Sequence, residues 1–123
     1  MPKSSKKVLV VEDEKPMAKA LELKLKKAGI KVVVARDGEA AVENLKNEKF
    51  SLILLDLMMP KLNGFEVIED LQASKNTTPV FVMSNLSQPG DQSKAKNLGA
   101  ADFFVKSNTP IADIVERVKQ KLK

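Results

Sequence analysis

The sequence predicts an α/β fold, a parallel sheet with helices on both faces, and three observations lead there. Short apolar runs alternate along the whole chain with segments of helical periodicity, five of each. The runs at Val8–Val11, Leu52–Leu55 and Val80–Met83 are continuously apolar, which suits strands buried on both faces. Each run leads through polar or turn residues into a helical pattern, the rhythm of β-then-α crossover units.

Val8-Leu9-Val10-Val11 is the first strand. Pro16 then sits where a first helical turn tolerates it. Met17, Ala18, Leu21, Leu25 and Ala28 recur at helical spacing and are expected to face the sheet, with Gly29 closing the helix. Ile30 through Ala35 reads as the second strand. Asp37 can cap a helix running over Ala40, Ala41, Val42 and Leu45. Leu52–Leu55 is the third strand and ends directly on Asp56. Phe65, Ile68 and Leu71 mark the third helix, and Val80–Met83 the fourth strand, ending on Ser84. A short polar helix from about Gln88 to Leu98 is closed by Gly99. Phe103-Phe104-Val105 is the fifth strand and ends on Lys106. Ile111, Ile114, Val115, Val118 and Leu122 give the last helix an apolar stripe. Residues 1–6 read as a basic tail and residues 7–123 as one domain.

Composition restricts the chemistry. With no cysteine and no histidine among 123 residues, thiolate and imidazole sites are excluded. The net charge of +5 is concentrated in residues 1–31, which hold nine lysines against four carboxylates. The remainder is balanced, and aromatic residues make up 4% of the chain, with no Trp or Tyr. Both facts argue against a nucleic-acid surface that stacks bases. No segment resembles a transmembrane helix or a signal peptide, so a cytoplasmic protein is expected.

Open parallel sheets bind ligands outside the carboxyl ends of their strands. The polar residues there are Glu12-Asp13-Glu14, Asp56, Ser84-Asn85 and Lys106. Taken singly, each has an ordinary explanation as a helix cap, a turn former or a solvated charge. Four strand ends with complementary chemistry are harder to ascribe to chance. Gathered carboxylates repel unless a cation joins them, and oxygen-only ligands favour Mg²⁺ over softer metals. A fixed ammonium and a hydroxyl donor suit a transferred phosphoryl group, and a carboxylate nucleophile gives an acyl phosphate.

These residues resemble the receiver domain of two-component response regulators, in its single-domain CheY-like form, over Lys7 to Leu122. Val10-Val11-Glu12-Asp13-Glu14 is similar to the family's acidic cluster, and Leu54 to Pro60 with Asn63-Gly64 to its phosphoacceptor segment. Gly99-Ala100 through Phe103 to Lys106 is similar to its last-strand signature. The resemblance implies a flavodoxin-like sheet of order 2-1-3-4-5. It implies that Asp56 is the phosphoacceptor, with Lys106 and Ser84 holding the phosphoryl oxygens. It also implies Mg²⁺ held by Asp13, Asp56 and the Met58 carbonyl, with Glu12 assisting, and a switch through Ser84 and Phe103. The expected partners are a histidine kinase or histidine phosphotransfer protein and a downstream protein target. Neither specific nucleic acid nor membrane is expected, and the protein is expected to be a monomer. It would be no turnover enzyme, catalysing only its own phosphorylation and autodephosphorylation. With nothing after Lys123, output by binding rather than through an effector domain is the expectation, a receiver cut from a longer protein being the alternative.

Three positions depart from the family pattern. Ser107 follows Lys106 where proline in a cis peptide is usual. A non-proline cis bond costs about 3–4 kcal/mol, so the sequence leaves the cis or trans state of this peptide open. Asn85 is larger than the usual residue, and Phe103 lacks the hydroxyl of the common Tyr. A phosphorylation-independent interaction module is the main rival reading. A haloacid dehalogenase-type phosphatase needs a second Asp two residues after its nucleophile, where Met58 stands. On the first helix, Pro16, Ala20, Leu23 and Lys27 fall on an arc away from the core. Leu23 is expected to lie exposed among lysines, a docking knob for the histidine-bearing partner.

Overall fold

The computed structural model describes residues 6–57, 64–84, 89–97 and 99–123, and in it every predicted apolar run forms a strand. The strands are β1 (Lys7–Val11), β2 (Lys31–Ala35), β3 (Leu52–Asp56), β4 (Val80–Ser84) and β5 (Asp102–Val105). The helices are α1 (Lys15–Lys27), α2 (Gly38–Asn47), α3 (Gly64–Ala73), α4 (Pro89–Asn97) and α5 (Ile111–Lys121). The sheet runs β2-β1-β3-β4-β5 with all neighbours parallel, the doubly wound flavodoxin-like order.

The strand period of two sorts side chains into two cores. Val8, Val10, Leu52, Leu54, Phe81, Met83 and Phe104 share one core with Leu21 and Leu25 of α1 and Ile114, Val115 and Val118 of α5. Leu9, Val11, Ile53, Leu55, Val80 and Val82 share the other with Ala41 of α2, Val67, Ile68 and Leu71 of α3 and Ala95 of α4. β1 and β3 sit between the two layers, which explains their unbroken apolar sequence. Each fully buried leucine or valine contributes roughly 1.5–3 kcal/mol by leaving water.

Helix ends follow from local chemistry. The Asp37 side chain accepts a 2.8 Å hydrogen bond from the Ala40 N–H and caps α2. At the end of α1, Gly29 takes a φ of +84°. Its N–H donates to the Lys26 carbonyl and that of Ile30 to the Leu25 carbonyl, at 3.0 and 3.1 Å. That is a Schellman motif, and it needs the left-handed residue that Gly29 supplies. Gly99 ends α4 by the same pair of bonds, through Lys96 and Ala95.

Two expectations require correction. Ala28 is exposed, because the helix closes at that residue and the turn lifts it off the sheet. Ile30 is buried as the apolar residue after the Schellman glycine, and β2 starts one residue later. The side chain of Phe65, expected to mark α3, and Gln88 and Leu98, expected at the ends of α4, lie outside the described residues or side chains. Among the described residues, no helix is long and apolar enough to cross a membrane.

Candidate functional site

The parallel register decides which side chains can meet. Val11 pairs with Ala35 and Leu55, Asp56 with Met83, and Ser84 with Val105. Glu12, Asp56, Ser84 and Lys106 therefore emerge along one edge of the sheet. Backbone bonds extend three of the four ladders past the strand ends: Glu12 N–H to the Ala35 carbonyl, Leu57 N–H to that of Met83, and Lys106 N–H to that of Ser84. The polar residues of this edge are fixed by the sheet itself rather than by loops.

Burial marks the same residues. Among the described residues, the buried polar or charged ones are Glu12 (0% exposed), Asp56 (3%) and Ser84 (0%). Buried carboxylates persist only with compensation. The Lys106 ammonium provides part of it, donating to Glu12 Oε2 at 3.2 Å, Asp56 Oδ2 at 3.1 Å and Glu14 Oε1 at 2.5 Å. Glu12 Oε2 also accepts from the Glu14 N–H at 3.0 Å.

One ammonium meets the carboxylates of Glu12, Glu14 and Asp56, and Asp13 stands beside Glu12 and Asp56, so the site keeps an excess of negative charge. Glu12, Asp13 and Asp56 each offer an oxygen, and these oxygens lie within 4.8 Å of one another. Glu12 Oε1 is buried and has no hydrogen-bond partner, although Lys106 Nζ lies 3.0 Å away. An oxygen-only donor set with surplus charge and an unsatisfied buried oxygen fits a small hard cation.

The electrostatics express the same tension. Burial pushes the Glu12 carboxyl up from 4.5 to about 7; the Glu14 N–H opposes this, the Asp56 charge adds to it, and Lys106 draws it back. For Lys106, burial acts against the ammonium. The bonds from Glu14, Glu12 and Asp56 outweigh it and hold the pKa above the ordinary lysine value.

The sequence-predicted residues are distributed as follows. Glu12, Asp13, Asp56 and Lys106 come together, and Ser84 stands at the neighbouring strand end. Phe103 is half-buried against the α2–α4 side of the sheet, and its N–H is bonded to Asp102 Oδ1. Met58 and Asn85 lie outside the described residues. The Lys106–Ser107 peptide is trans, since no cis bond occurs among the described residues. On α1, Pro16 and Lys27 are exposed and Ala20 is half-buried. Leu23, at 55% exposure, is the exposed large hydrophobic side chain among the described residues.

The sequence reading missed the use of Glu14. The sequence offers it within the acidic run as a possible cap, yet as N-cap of α1 its side chain makes no capping bond and instead holds Lys106. Its place beside two other carboxylates at a strand end was the available signal.

Comparison with known proteins agrees with this geometry. The alkaline phosphatase synthesis transcriptional regulatory protein PhoP of Bacillus subtilis is 36% identical over 97% of this chain and 49% of its own length. The response regulator ArlR of Staphylococcus saprophyticus is 32% identical over 95% of this chain and 52% of its own. The chain thus spans about half the length of these relatives. Among solved structures, the Francisella response regulator 1452 receiver domain superposes with a TM-score of 0.88, at 28% identity over 96% of this chain and 97% of that one. The response regulator TrrA of Thermotoga maritima, solved in complex with Mg²⁺ and BeF, superposes with a TM-score of 0.82, at 26% identity over 95% of this chain and 99% of that one. Residues 8–119 match the response regulator receiver domain family, and the chain belongs to that family.

Proposed function

We propose that the chain accepts a phosphoryl group on Asp56 from a histidine kinase or histidine phosphotransfer protein, or from acetyl phosphate, in a Mg²⁺-dependent reaction that switches its surface for a downstream protein. The observation that carries this reading is a carboxylate at 3% exposure, 3.1 Å from a lysine ammonium and inside a triad of carboxylates. An Asp56 oxygen attacks phosphorus; the bond from phosphorus to the donor nitrogen or oxygen breaks, and the donor keeps the electron pair. Lys106 neutralises charge on the phosphoryl oxygens and Ser84 offers a hydroxyl to them.

Asp13 and Asp56, with the Met58 carbonyl and the aid of Glu12, would hold Mg²⁺. When bound, the ion supplies positive charge to the carboxylates and the incoming phosphoryl oxygens. In the switch, Ser84 moves toward the phosphoryl group and Phe103 follows. Phe103 lacks a hydroxyl and acts by packing alone.

The histidine-bearing partner docks on the arc of α1 formed by Pro16, Ala20, Leu23 and Lys27. Support comes from the 55% exposure of Leu23 and from Lys19, Lys24, Lys26 and Lys27 around it. Lysines speed encounter with an acidic helical partner, and the leucine supplies buried contact. We read the protein as a cytoplasmic monomer, residues 1–6 as a basic tail, and residues 7–123 as the receiver without specific nucleic-acid binding of its own.

The test is intact-protein mass spectrometry after acetyl phosphate treatment. One phosphoryl adduct is expected with Mg²⁺ and none with EDTA. An adduct on the Asp56→Asn variant equal to that on the wild type would remove the assignment.

A further inference from the structure

Lys106 has three N–H donors, and three carboxylates engage them: Glu12, Asp56 and Glu14. Lys106 and Glu12 are largely sealed from water, with side chains 8% and 0% exposed. Glu14 differs, since its side chain is 60% exposed while its carboxylate makes the shortest of the three contacts, at 2.5 Å. Its backbone is anchored, with its N–H on Glu12 Oε2 and its carbonyl accepting from Ala18 N–H at 3.0 Å. The side chain alone can leave.

A phosphoryl group on Asp56 brings new oxygens into reach of the same ammonium, which has no donor in reserve. One carboxylate must then give way. Glu12 is sealed at 0% exposure with its Oε2 also tied to the Glu14 N–H, and Asp56 carries the phosphoryl group itself. Glu14 is the partner that water can take back at the smallest cost, because its carboxylate is the solvent-exposed one of the three.

We propose that Glu14 is a positioning residue that holds Lys106 in the unphosphorylated protein and yields its place to a phosphoryl oxygen when Asp56 is modified. The proposal rests on the reading of Asp56 as phosphoacceptor. It makes Glu14 a competitor of the phosphoryl group, so its loss strengthens the modified state. The handover also frees a side chain at the start of α1, beside Pro16, Met17 and Ser107, which line a shallow cleft with Glu14 and Lys106.

Beryllofluoride with saturating Mg²⁺ serves as the phosphoryl probe. The Glu14→Gln variant is expected to bind it about twofold to fivefold more tightly than the wild type, the range an exposed ion pair supplies. Carboxyl ¹³C NMR reads the handover directly, with the Glu14 signal identified by its loss in Glu14→Gln. On adding the probe to the wild type, that signal should move to the position of a solvated glutamate. In the Lys106→Met variant it should already stand there without the probe. A signal unmoved by bound probe, or unaltered by loss of Lys106, overturns the proposal, as does equal or weaker binding by Glu14→Gln. If the wild type binds no beryllofluoride at all, the phosphoacceptor reading fails and takes the proposal with it.

Discussion

Replacing Glu12 by Gln removes a carboxylate at 0% exposure whose pKa burial has raised from 4.5 to about 7. In the unfolded chain this group loses its proton near its ordinary value, and in the folded chain only near neutrality. Between those values the folded state binds more protons, so stability falls as pH rises. The contribution is fully present below the unfolded pKa and lost as pH passes through the folded one. At about 1.4 kcal/mol per unit, the metal-free protein loses about 3 kcal/mol across this window from Glu12 alone. Glutamine keeps the shape and does not titrate. Urea denaturation in EDTA, followed by far-UV circular dichroism because the chain has no Trp or Tyr, reads the difference between the two proteins. That difference should favour Gln by about 3 kcal/mol more at pH 8 than at pH 4. Mg²⁺ should reduce it, since the cation compensates the ionised carboxylate. A difference that stays constant with pH would refute the claim that Glu12 is strained by burial.

Two further predictions concern α1. Leu23→Ala should alter stability by less than about 0.5 kcal/mol, as expected at 55% exposure, while slowing phosphotransfer from a histidine donor and sparing acetyl phosphate labelling. A loss of several kcal/mol in denaturation would instead place Leu23 in the core. Gly29→Ala should cost about 1 kcal/mol, because a Cβ there meets no atom within 4 Å but the φ of +84° penalises any L side chain. An unchanged midpoint would mean that the Schellman turn relaxes at no cost.

The fold was legible where sequence pattern and burial coincide. β1 and β3 are sandwiched between helical layers, so their apolar runs had one sensible reading. The site was legible because strand ends of a parallel sheet must share an edge, which brings Glu12, Asp56, Ser84 and Lys106 together across 94 residues of chain. Periodicity failed at Ala28, since a wheel continues the helical stripe past the point where Gly29 ends it. The pairing of Glu14 with Lys106 was hidden for another reason. A carboxylate just before a proline-started helix serves equally as a cap, and only the position of Lys106 shows that the side chain turns away from the helix.

A phosphoryl group on Asp56 has a direct chemical signature. Borohydride reduces an aspartyl phosphate to homoserine, so treating the acetyl phosphate-labelled protein with it and sequencing the peptides by mass spectrometry locates the modified residue. Homoserine is expected at position 56 alone, formed only when Mg²⁺ was present. Homoserine at position 13, or none in protein shown to be phosphorylated, would contradict that assignment.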